Sequence, residues 1–124
     1  MNFITKLIYE IVDMGLNESP IRKKSFEFAC EIVNYCDFLK KQKDFELASQ
    51  LLRSGTSIGA NTREAQRGVS TKDFKNKFGI ALKEADETLY WLEILKETKR
   101  EVPEGMMNKC EELIRILVAI IKNS

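Results

Sequence analysis

Apolar residues recur along the chain at intervals of three and four, the spacing of helices with one buried face, and no stretch alternates every second residue as a half-buried strand would. Ser19 offers an N-cap and Pro20 a favourable first helical residue. Beyond them Ile21, Phe28, Ile32, Tyr35 and Leu39 fall on one face and predict a helix from about Pro20 to Gln42. Asp44 can cap a second helix carrying Phe45, Ala48, Leu51, Leu52, Ile58 and Ala65, ending near Gly68. Ser70 and Asp73 stand at near capping-box spacing, and Val69 and Phe74 at the spacing of a hydrophobic staple, so a third helix starts there. Phe74, Phe78, Ala81, Ala85, Leu89, Leu92 and Leu95 extend it toward Pro103, about 30 residues or roughly 45 Å. A fourth helix joins Met106, Cys110, Leu113, Leu117 and Ile120 to a second stripe of Met107, Ile114, Val118 and Ile121, a wide face expected to be well buried.

Four long helices joined by short connections make antiparallel neighbours, hence an all-α, up-down-up-down four-helix bundle over residues 18–124. Residues 1–17 form an extension whose amphipathic part, Met1 to Gly15, places Ile4, Leu7, Ile8, Ile11 and Val12 on one side. Docking on the bundle, contact with a partner and mobility all remain open for it.

One stretch resists this reading. "QLLRSGTSIGANTREAQ", Gln50 to Gln66, looks helical at its ends, yet Ser54-Gly55-Thr56-Ser57-Ile58-Gly59-Ala60-Asn61 is poor in helix formers. It is no phosphate loop, because it lacks the GK[ST] ending and follows no strand. Gly55 and Gly59 are four apart and share a helix face, with Ser54, Ser57 and Ala60 nearby, so this face suits close approach by another helix. The two glycines cost roughly 2 kcal/mol of helix propensity, which close packing can offset. The stretch is therefore expected to stay helical.

Composition removes several function classes. The chain has no histidine, which excludes Ser-His-Asp and Cys-His catalysis and most transition-metal sites. Cys30, Cys36 and Cys110 show no CxxC spacing and are expected to be small buried hydrophobes. Glu84 and Glu87 could share a face, but a di-iron bundle also needs Glu-x-x-His pairs, so pairing with Arg53 is expected instead. Tyr90 and Trp91 are expected to pack in the core or at a subunit interface. No apolar run is long enough to span a membrane, and the N-terminal stretch has no signal-peptide cleavage pattern, so a cytoplasmic protein is expected, without cofactor, metal or small-molecule substrate.

Together, "SPIRKKSFEFA", "QLLRSGTSIGANTREAQ" and "IALKEADETLYWLEIL" resemble the four-helix-bundle family encoded in intervening sequences of bacterial 23S ribosomal RNA genes. The resemblance runs from Ser19 to about Ser124. It implies a ring-like homo-oligomer, expected to be a pentamer, with no established enzymatic activity. A related group, the accessory variability determinants of diversity-generating retroelements, has a similar bundle and works with a reverse transcriptase and nucleic acid, which is an analogy only. This chain departs from the family pattern in its extension, Met1 to Asn17, and in Thr62, where an apolar residue is common.

Net charge is only +1, so any nucleic-acid affinity must come from how charge is distributed. The bundle topology gathers Arg22, Lys23, Lys24, Arg63, Arg67, Lys72, Lys75 and Lys77 at one end, against Glu27, Glu64 and Asp73. The "KKQK" run, with Lys40, Lys41 and Lys43, is the solvated end of the first helix. The function expected is thus a non-enzymatic, homo-oligomeric helical scaffold whose basic end meets RNA, DNA or a nucleoprotein. The alternative is a protein-interaction adaptor that docks its partner on the N-terminal segment and binds no nucleic acid.

Overall fold

The structure, a computed structural model, describes residues 2–6 and 19–124. Its helices are α1 (Pro20–Lys41), α2 (Phe45–Gln66), α3 (Thr71–Glu97) and α4 (Met106–Lys122), and the described residues include no strand. Residues 3–6 add one helical turn. Within the N-terminal segment Ile4 is exposed, while Leu7, Ile8, Ile11 and Val12 lie outside the described residues.

Each helix packs on its sequence neighbour, and α1 closes the bundle against α4, so α1 and α3 lie on a diagonal. The core is assembled from the predicted stripes: Phe28, Ile32 and Leu39 of α1, Leu51 and Ile58 of α2, Phe74, Phe78, Leu92 and Leu95 of α3, and Leu113 and Leu117 of α4. Only one stripe of α4 is buried, however. Met107, Ile114 and Ile121 are half-buried and Val118 is exposed, so the wide apolar face expected to be hidden remains partly uncovered in the single chain. The seam between α1 and α4 is also the least extensive helix contact, bridged by ion pairs of Lys24 with Glu112 at 2.9 Å and Lys109 with Glu31 at 2.6 Å.

Helix α2 runs unbroken through Ser54 to Asn61. Its poor helix formers satisfy themselves against their own helix: the Thr56 hydroxyl donates to the Leu52 carbonyl at 2.7 Å, Ser57 to Arg53 at 2.6 Å and Thr62 to Ile58 at 2.9 Å. The Asn61 amide donates to the Ser57 carbonyl at 2.9 Å. The glycines meet α1. A Cβ on Gly55 would stand 2.8 Å from the Ile32 Cγ2, and one on Gly59 would stand 3.4 Å from the Ser25 Oγ. On the other flank the Ser54 and Thr88 hydroxyls meet at 2.9 Å, which gives these buried polar groups partners between α2 and α3.

Local signals at the helix ends divide. Ser19 and Ser70 cap as expected, accepting from the Arg22 and Asp73 amides at 3.3 and 3.0 Å. Asp44 stands at the N-cap of α2 but makes no side-chain cap bond. Its carboxylate instead accepts from Arg100 Nε and Nη2 at 3.0 and 2.9 Å, tying the α1–α2 turn to the α3–α4 connection. Val69 is 96% exposed and so forms no staple with Phe74. Gly68 ends α2 for steric reasons, since a Cβ there would lie 2.9 Å from the Asp73 carboxylate and 3.0 Å from the Ala65 carbonyl oxygen.

Two outcomes follow. Gly55→Ala should destabilise the fold in urea by about 1–3 kcal/mol through overpacking against Ile32, more than the gain of about 1 kcal/mol in helix propensity. Gly59→Ala, with room at Ser25, should be neutral or stabilising; equal stability of the two variants would contradict the close approach. The Arg100 guanidinium beside Asp44 holds its carboxyl below the usual carboxylate range. That contribution is fully present above the unfolded pKa of about 4 and is lost as pH falls through the lower folded value. Asp44→Asn should therefore flatten this part of the acid dependence of the melting temperature.

Candidate nucleic-acid interface

The start of α1, the end of α2 and the start of α3 meet at one end of the bundle, and direct contacts hold them there. The Gln66 amide donates to the Ser19 Oγ at 2.7 Å, with both residues buried. Arg22 Nη1 donates to the Gln66 Oε1 at 3.4 Å. The Arg63 guanidinium lies 5.3 Å from the centre of the exposed Phe26 ring, and Lys77 bonds to Glu64 at 3.2 Å. Lys6 joins them from the N-terminal turn, its ammonium donating to the Gly68 carbonyl at 2.9 Å and lying 5.7 Å from the Phe74 ring centre.

These contacts sort the sequence-predicted cations. Lys24 and Lys77 are each committed to a carboxylate, Glu112 and Glu64, and contribute less positive field than their formal charge. Lys23, Arg63, Arg67, Lys72 and Lys75 are exposed and form no ion pair among the described residues. Arg22 is half-buried and faces Gln66. The remaining cluster is thus smaller than the sequence alone gives, but it is built on a fixed polar frame.

A groove opens from this end between the first half of α3 and the last turn of α4. Gly79, Ile80 and Ile121 line a recess of about 510 Å³, with Lys72, Lys75 and Lys83 around it. A Cβ added to Gly79 would meet nothing within 4 Å. At the far end a recess of about 590 Å³ lined by Tyr35, Phe38, Val102 and Met106 has Glu31, Glu101 and Glu104 beside it, a setting that repels phosphate. Lys40, Lys41 and Lys43 are exposed at that end, as expected.

The paired carboxylates are occupied by protein. Arg53 bonds to both Glu84 and Glu87, and the Trp91 indole N–H donates to Glu87 at 3.0 Å. Among the described residues no group of three or more candidate ligands could hold a metal ion, and no helix is long and apolar enough to cross a membrane. Trp91 packs half-buried, whereas Tyr90 is 58% exposed. The cysteines also divide. Burial pushes the Cys36 thiol up to about 11 and Cys110 up to about 12, while Cys30, expected inside, is exposed on α1.

Sequence reasoning missed Lys6, the Ser19–Gln66 contact and the Gly79 groove. Only the groove had a signal: Lys72, Asn76, Gly79 and Lys83 follow the i, i+4, i+7, i+11 spacing of one helix face.

No curated protein matches the chain. A solved structure of a protein of unknown function from the S23 ribosomal protein family of Bacteroides thetaiotaomicron is similar, at 50% identity and a TM-score of 0.79, over 82% of this chain and 98% of that one. Residues 17–119 match the family described as 23S rRNA-intervening sequence protein. This match takes in all of α1, α2 and α3 and most of α4, and the chain belongs to the 23S rRNA-intervening sequence protein family.

Proposed function

We propose that the chain is a non-enzymatic scaffold that assembles with copies of itself and binds nucleic acid through the end where α1 starts, α2 ends and α3 starts. The observation that carries the reading is the set of cations that form no ion pair among the described residues, Lys23, Arg63, Arg67, Lys72 and Lys75, which three chain segments bring to one end. Contact with the phosphate backbone would be largely indifferent to sequence. Assembly is supported by the uncovered stripe of α4 and by exposed Phe26, Val33 and Phe38 on α1, more apolar surface than a solitary bundle needs to leave open. A ring of five is the expected form, in the cytoplasm, where repeated basic ends would line a rim.

An adaptor role is favoured by one observation only: Phe3 and Ile4 are exposed on a turn that Lys6 anchors to Gly68. Such a turn would present an apolar contact to a protein partner.

Binding to labelled RNA or DNA at low salt should weaken linearly in log K against log salt. Lys23→Glu with Arg67→Glu should weaken it strongly and lower the slope by about 2, because each phosphate contact contributes roughly one unit. Reversal of Lys40, Lys41 and Lys43 should have little effect. Equal loss in the two variants, or no binding by the parent chain, would sink the reading and leave the adaptor in its place.

A further inference from the structure

We propose that the Gly79 groove receives the outward face of α1 from a second copy of this chain. The inference rests on the assembly part of the function proposed above and assigns the surfaces that meet.

Three observations converge on the groove. First, Gly79 sits inside α3 with no neighbour among the described residues that its missing side chain makes room for, unlike Gly55, which accommodates Ile32 of α1. A glycine mid-helix costs stability, and a partner approaching the backbone from outside gives that cost a purpose. Second, the floor is apolar, with Ile80 and Ile121 half-buried beside it. Third, Lys72, Lys75 and Lys83 surround it with no ion pair among the described residues. An occupant needs apolar anchors flanked by carboxylates.

Helix α1 presents such a face. Phe26, Cys30 and Val33 are exposed at i, i+4 and i+7, the anchor spacing of a helix laid in a groove. Helix α1 itself has no lysine or arginine between Ser25 and Leu39, and Glu27 and Asp37 are exposed on either side of the anchors, while Arg63 of α2 lies over the Phe26 ring and Lys109 of α4 pairs with Glu31. The charges match in length as well as sign: Glu27 to Asp37 spans about 15 Å along α1, and Lys72 to Lys83 about 16.5 Å along α3. Opposite potentials of matching reach fix register and partner.

Helix α1 cannot fill the groove of its own chain, because α1 and α3 lie on the bundle diagonal. Each copy therefore offers one face and one groove, a head-to-tail contact that closes into a ring when the rotation permits. Assembly takes Lys72 and Lys75 into the contact, with Arg63 at its edge against Phe26, and leaves Lys23 and Arg67 for phosphate.

The test uses the full chain in light scattering. Gly79→Leu should keep the helical circular dichroism of the parent, since its Cβ meets nothing within 4 Å among the described residues, but lose assembly and fall to the single-chain mass of 14.3 kDa. Glu27→Lys with Asp37→Lys should do the same from the other side. Mixed together, the two variants should form a dimer, because each retains the surface that the other has lost. Cys30 should react with iodoacetamide more slowly in the assembled parent than in Gly79→Leu. A parent that assembles and is indifferent to Gly79→Leu overturns the surface assignment alone and leaves the groove to an acidic helix of another protein. A mixture that stays monomeric also overturns it, and a parent that is itself monomeric removes the assembly reading with it.

Discussion

The close approach of α1 and α2 is the constraint from which the rest of the molecule follows. Gly55 lets the backbone of α2 come against Ile32, and one turn further on Gly59 lies beside Ser25, less than two turns from the start of α1. That approach brings the end of α2 to Ser19, where Gln66 can bond to the hydroxyl that caps α1. With that contact made, Lys23 of one helix and Arg63 and Arg67 of the next share an end. A wider separation of these two helices would leave Gln66 and Ser19 buried without each other, and the cations would lose their common frame.

Much of the architecture was legible in the chain because burial imposes a period, and the apolar spacing states it. The caps at Ser19 and Ser70 were equally readable, since an isolated hydroxyl before a helix has few competing uses. Asp44 shows the limit of such local reading. Its position is that of a cap, but a guanidinium 56 residues away offers its carboxylate a stronger, two-bonded partner. Val69 fails as a staple for a related reason: spacing allows a contact that the path of the turn does not deliver.

The basic end was legible as a list of residues and illegible as a field. Topology alone brought the right segments together, yet whether a lysine remains available depends on its neighbours across the bundle. Lys24 finds Glu112 on α4, and Lys77 finds Glu64 on α2, pairings that no spacing within one helix announces. Cys30 illustrates the same point for apolar residues. Cys30 and Cys36 share α1 and differ in the side of the helix they occupy, and this decides between an exposed thiol and one whose pKa burial raises. The Gly79 groove was hidden because a glycine that accommodates nothing among the described residues can be recognised only when the space around it is known.

On the proposed function, one short bundle gives two charged surfaces separate uses: cations at the α1–α2 junction for phosphate, and lysines around Gly79 for a neighbouring copy. Lysine footprinting by acetylation, read residue by residue with and without RNA, tests this division most directly. In the assembled chain alone, Lys72, Lys75 and Lys83 should already be protected while Lys23 reacts freely; adding RNA should protect Lys23, with Lys40, Lys41 and Lys43 reactive throughout. Protection of Lys40, Lys41 and Lys43 by RNA as strong as that of Lys23 would contradict a single binding end.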